Sequence, residues 1–106
     1  MKNKVLTLLG FATKAGKLSF GAAATETALY SGKSKLVLVS SEISPKTRKE
    51  MTFHSDKCNI KCVVLDEIDI ITLSDAVGRK CGVLSVNDSS FAESLTKELG
   101  GNVNDK

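Results

Sequence analysis

Hydrophobic positions along the chain follow two spacings. Val5, Leu8, Leu9 and Ala12 fall three and four residues apart, the spacing of one face of an α-helix. They predict a helix over residues 3–15 that stops at Gly16. A short extended piece over residues 17–20 leads to a second helix over residues 21–31, with Gly32 as its stop. The run KLVLVS at residues 35–40 is continuous rather than alternating, and its valines mark a strand covered on both faces. Ser44 followed by Pro45 supplies an N-cap and a first helical residue for a third helix reaching Lys57. KCVVLD at residues 61–66 repeats the buried-strand pattern, and Asp66 and Asp69 acidify the start of a fourth helix that ends near Gly78. GVLSV at residues 82–86 is the last strand. Asn87 or Asp88 caps a final helix with Ala92, Leu95 and Leu99 facing inward, closed by Gly100 and Gly101. The polar tail over residues 102–106 is expected to fray.

Five helices alternating with four strands, with no repeat and no linker, predict one α/β domain over residues 1–101. The order implies a three-layer α/β/α sandwich around a small four-stranded mixed sheet. A chain of 106 residues is long enough for a modest core. Its 42% hydrophobic and 25% charged residues are those of a soluble globular protein. Apolar runs stop at four or five residues, far below the roughly 20 of a membrane span. The basic start MKNKVLTLLG is followed closely by Lys14 and Lys17, which is too short an apolar core for a signal peptide. A cytoplasmic protein with no membrane partner is expected, and its three cysteines are expected to be free thiols.

Net charge is only +3, but residues 1–64 carry 11 Lys/Arg against 4 Asp/Glu, whereas residues 65–106 carry 4 against 8. Such a split suits a basic face that meets a polyanion, and it equally suits a solvated lysine-rich surface.

Several chemistries can be set aside. SGKS at residues 31–34 ends like a phosphate-binding loop, but Thr27 stands where the first glycine belongs. It also runs from helix to strand, whereas phosphate cradling needs strand to helix. In GFATKAGK, Gly10 is one position out and Leu18 replaces the metal-binding hydroxyl. No nucleotide cofactor is expected. His54, Cys58 and Cys62 are spaced by four, with Cys81 further on, yet Cys62 falls in a predicted strand and no C-x2-C knuckle exists. Buried thiols and a surface histidine account for them without a metal. One imidazole is poor supply for a nucleophilic triad, so no enzyme is expected. Four Phe, one Tyr and no Trp are too few for a base-stacking platform. RNA binding would have to use helix ends, loops and basic side chains.

LLGFATKAGKLSFG followed by SGKSKLVLVSSEISPKTRKEM resembles the kink-turn-binding ribosomal protein family, that of the archaeal large-subunit protein L-seven-Ae and its eukaryotic thirty-e relative. The likeness continues through LSDAVGRKCGVLSV and FAESL, nearly the whole chain, and is closest to the small bacterial branch called YlxQ-like. AGKL, Gly21, SGK, KLVLVS and Ala76-Val77-Gly78 carry it most strongly.

The resemblance implies that the helix opening at Gly21 is the RNA-reading element. There the glycine lets backbone approach phosphate, and free N–H groups favour an anion. It further implies that side chains of the first two turns reach base edges of tandem G·A pairs. The loop at residues 79–82, with Arg79 and Lys80, would cover bases protruding from the kink. The loop at residues 42–45, which includes Ile43, would close the other side. Lys14, Lys17 and Lys46 complete the expected basic surface around Gly21, Ala22, Ala23, Ala24 and Thr27.

The sequence departs from the family pattern at the reading positions. Ala23, Ala24 and Thr27 stand where Asn, Glu and Lys are typical. Methyl groups cannot hydrogen-bond a guanine edge, and each missing base contact removes about 1–3 kcal/mol of discrimination. The expectation is a non-enzymatic binder of structured RNA, ribosomal or kink-turn-like, acting as a monomer or weak dimer. The alternative is a protein-interaction module of the same fold that has lost specific RNA reading, with the apolar first turn of the second helix as its contact patch.

Overall fold

The computed structural model describes residues 2–100. Along the chain lie α1 (Lys2–Lys14), β1 (Leu18–Phe20), α2 (Ala22–Tyr30), β2 (Leu36–Ser40), α3 (Pro45–Lys57), β3 (Cys62–Leu65), α4 (Ile70–Val77), β4 (Val83–Val86) and α5 (Ser89–Gly100). All nine predicted elements are present, with ends displaced by a residue or two. The predicted closure at Gly101 and the tail at 102–106 lie outside the described residues.

The strands form one sheet in the order β1-β4-β2-β3. β2 and β3 run parallel, while β4 pairs antiparallel with both β1 and β2. The sheet is therefore mixed, as expected, with β4 as its antiparallel strand.

Each strand of this sheet buries alternate residues in opposite directions. Leu36 and Leu38 meet Leu84 and Val86 in a core shared with Val5 and Leu9 of α1, Leu73 and Val77 of α4, and Leu95 of α5. Val37, Val39 and Val83 form a smaller core with Leu29 of α2 and Met51 of α3. One layer is thus α1, α4 and α5, and the other is α2 and α3. Every residue of β2 is buried, which explains a continuous apolar run where a half-exposed strand would alternate.

Helix starts follow their side chains. The Ser44 hydroxyl accepts from the Thr47 N–H at 3.2 Å ahead of Pro45. The Asp69 carboxylate accepts from Thr72 N–H at 2.7 Å. At the last helix Asp88 is the cap, accepting from Phe91 N–H at 2.9 Å. Asn87 instead donates to the Ser19 hydroxyl at 2.8 Å, tying β4 to β1.

Register places the loops. Phe20 faces Leu84, Val39 faces Val83, and Ser40 faces Leu65. The connections β1–α2, β2–α3, β3–α4 and α4–β4 therefore leave the sheet at one edge. The connections α1–β1, α2–β2 and β4–α5 leave at the opposite edge, where Leu18 and Leu36 flank Val86.

Candidate nucleic-acid interface

The helix start at Gly21 is open. Gly21 has φ 93° and ψ 162° and offers no side-chain cap. That conformation is essentially confined to glycine. A Cβ there would meet nothing within 4 Å, so the requirement for glycine is one of backbone conformation, not of space. The Gly21 N–H donates to the Val83 carbonyl at 2.8 Å, which fixes the helix start to the first residue of β4. The first bond of the helix ladder runs from Thr25 N–H to the Gly21 carbonyl at 3.0 Å. The N–H groups of Ala22, Ala23 and Ala24 therefore precede the ladder, at the positive end of the helix dipole. Ala23 and Thr27 are exposed, whereas Ala22 and Ala24 are half-buried and Ala22 packs on the smaller core.

Two loops flank this start. Gly78 ends α4 in the left-handed conformation, and the chain then passes Arg79 and Lys80, both exposed. Ser74 braces the loop by bonding both the N–H and the carbonyl of Cys81, at 3.1 and 3.3 Å. The Arg79 guanidinium lies 4.8 Å from the centre of the Phe20 ring, one residue before Gly21. Burial pushes the Cys81 thiol up from its ordinary value, against a smaller downward pull from the Arg79 charge. On the other side Ile43 packs over Gly82. A Cβ on Gly82 would come within 2.8 Å of Ile43 Cδ1 and 3.4 Å of Ile70 Cγ1. Gly82 is small so that the β2–α3 loop can close against β4.

The expected surface residues thus fall into two groups. Gly21, Ala22, Ala23, Ala24, Thr27, Ile43, Arg79 and Lys80 gather at one sheet edge, and Lys46 continues from it on the first turn of α3. Lys14 ends α1, and Lys17 bonds Ala12 and Asn87 through its backbone, at 2.9 and 2.8 Å. Both lie at the opposite edge, a strand's length from Gly21.

Carboxylates bound the site. Glu42 accepts from Ile70 N–H at 3.1 Å, so its charge lies at the α4 start. Glu26, on the second turn of α2, faces His54 Nε2 at 3.6 Å. The Tyr30 hydroxyl lies 2.6 Å from His54 Nδ1. Desolvation of Tyr30, reinforced by Cys58 and Glu26, raises its pKa. The hydrogen bond between the two side chains ties α2 to α3. His54 is half-buried and engaged between α2 and α3, where the sequence led to a surface histidine. Cys58 and Cys62 are half-buried and Cys81 is buried, all as free thiols.

The sequence profile of the ribosomal protein L7Ae/L30e/S12e/Gadd45 family matches residues 3–96. The chain belongs to this family. It is 31% identical over 99 residues to the "RNA-binding protein YlxQ" of Enterococcus faecium, covering 92% of each chain. Among solved structures, a Bacillus halodurans protein of unknown function superposes with a TM-score of 0.83 at 29% identity, over 88% of this chain and 93% of that one. The Giardia lamblia 15.5kD RNA binding protein superposes with a TM-score of 0.77, over 96% of this chain and 86% of its own. At 17% identity that likeness speaks for the fold alone.

Within an L7Ae/L30e/S12e/Gadd45 framework, two features of the site escaped sequence reasoning. The Arg79–Phe20 stack joins residues 59 positions apart, and nothing local in either segment marks the partner. The Glu26–His54 pair likewise spans two helices. One signal was available for the first: Phe20 directly before Gly21 is a large apolar residue at the end of a three-residue strand, where half its ring must find a cover.

Proposed function

We propose that this protein is a non-enzymatic binder of structured RNA, seated at the sheet edge where α2 opens. The uncapped α2 start beside the Arg79 guanidinium carries the reading. Backbone N–H groups ahead of the helix ladder and a stacked, exposed cation make a phosphate site that needs no side-chain hydrogen bond from α2. Family membership and the name of the Enterococcus relative support RNA as the polyanion. Alanines at positions 23 and 24 and threonine at 27 leave phosphate position and groove shape as what is recognised, more than guanine edges. The ligand is a ribosomal or kink-turn-like RNA with a widened groove.

The test is a titration of a kink-turn RNA against the protein and an Arg79→Ala/Lys80→Ala variant across a salt series. Both residues are exposed, so a cooperative melt should survive. Removing two phosphate contacts should weaken binding and flatten the log K against log[salt] slope by about 1.5. Unchanged affinity and slope would take these residues out of the site. Capture of protein from a lysate in a nuclease-insensitive manner, with no RNA bound, would instead favour a protein-interaction module.

A further inference from the structure

We propose that the outer face of α3 is a second RNA-contacting surface, which takes a single-stranded segment leading away from the structured part, with a nucleobase stacked on Phe53. The inference rests on the RNA-binding reading above and extends it along α3, beyond Lys46, which that surface already includes.

α3 turns Met51 and Ser55 inward, and leaves Phe53 57% exposed. An open groove of about 780 Å³ runs along this face, lined by Pro45, Lys46, Arg48, Lys49, Thr52 and Phe53. Lys46, Lys49 and Phe53 are three and four residues apart, so they share one helix face. Lys57, one turn beyond, holds its ammonium 5.5 Å from the centre of the Phe53 ring. Among the described residues, none of Lys46, Arg48, Lys49 and Lys57 is in a salt bridge. Four cations outside any salt bridge, against Glu50 and Asp56 on the same helix, leave this segment net basic around an exposed ring. These are the components of sequence-tolerant single-strand binding: charge for phosphate, a π-face for the base.

The ring is also held. Its edge meets His54 at 5.3 Å between centroids and 74° between planes. His54 is in turn fixed by Tyr30 and Glu26 of α2. A fixed ring loses little freedom when a base stacks on it. The surface is continuous with the first site: Ile43 packs over Gly82 there, and Lys46 follows three residues later. From Lys46 to Lys57 the track runs about 16 Å along the helix. The scarcity of aromatic residues argued against a base-stacking platform of several rings, and the stack proposed here uses one ring for one base. An acidic protein segment is the competing occupant, and base stacking separates the two.

The full chain is titrated by fluorescence anisotropy with a blunt kink-turn RNA, the same RNA with a short oligoadenosine extension at either end, and the extended RNA with abasic residues in the extension. One extension should raise affinity roughly tenfold, the size of one base stack. Phe53→Ala should abolish that gain, Phe53→Trp should restore it, and the blunt RNA should bind all three proteins alike. The abasic extension should give little gain. If the blunt RNA binds but neither extension helps, or Phe53→Ala keeps the gain, or abasic residues give the full gain, the proposal is overturned. If the blunt RNA fails to bind, the α2 reading fails. Free oligoadenosine then decides α3 separately: Phe53-dependent binding supports the track, and its absence, or equal displacement by oligoglutamate, overturns it.

Discussion

Ala23→Asn combined with Thr27→Lys tests how α2 meets its ligand. The two positions are four residues apart and both exposed, so the new amide and ammonium would stand on one face of the helix beside its open start. Neither native side chain belongs to a core cluster. The exchange therefore opens no cavity, and its cost is helix propensity alone. Asn is less favourable than Ala by up to about 0.7 kcal/mol, and Lys is better than Thr by a few tenths, so the net change is about 0.5 kcal/mol or less. Two good base contacts would add about 2–6 kcal/mol of discrimination for tandem G·A pairs. At 1.4 kcal/mol per tenfold, that is at least roughly 30-fold. The assay compares a kink-turn RNA with a version whose G·A pairs are replaced, at one fixed salt concentration because phosphate contacts dominate absolute affinity. The native protein should separate the two RNAs by less than about tenfold, and the variant by far more. A native protein that already discriminates tenfold or better would mean that other side chains read the pairs. A variant that binds both RNAs more tightly without telling them apart would mean that the lysine adds charge only.

Gly21→Ala should cost about 1–3 kcal/mol, the cost of a glycine-only backbone conformation where the added methyl meets no atom. Urea unfolding reads it, and an unchanged midpoint would show that the helix start relaxes freely. Alkaline pH should also destabilise the fold. Burial raises the Cys62 thiol, against hydrogen bonds from Thr52 and Ser55, and likewise raises Cys81. Because the folded state holds both thiols neutral, their contribution is intact below the unfolded value of about 8.5 and is lost as pH rises through the folded values. Urea midpoints should fall from about pH 8.5 upward, and a Cys62→Ala/Cys81→Ala variant should fall less steeply. Equal slopes for both proteins would remove the thiols as the cause.

Much of this protein is local, and local features are legible in one dimension. The Val5–Leu9–Ala12 stripe, the Ser44-Pro45 helix start and the unbroken apolar run of β2 depend on residues a turn or a strand apart. They determined all nine elements, the layered class and the open helix start at Gly21. Even there the cap of α5 stayed ambiguous, because Asn87 and Asp88 are equally able caps until Ser19, 68 positions away, engages Asn87.

What only the tertiary structure decided is which segments share an edge. β4 inserts between β1 and β2, so that the Arg79 loop stacks on Phe20, and Ile43 packs over Gly82. The same pairing sends Lys17 to the far end of β1, although it lies only four residues from Gly21. Basic residues close in sequence are thereby split, and residues some sixty positions apart are joined. Periodicity records which face of a strand is buried. It does not record strand order, because many pairings bury the same apolar stripes. The native order is set by the two cores filling together, and by polar atoms that meet across the sheet, such as Ser85 with Ser34 at 2.7 Å.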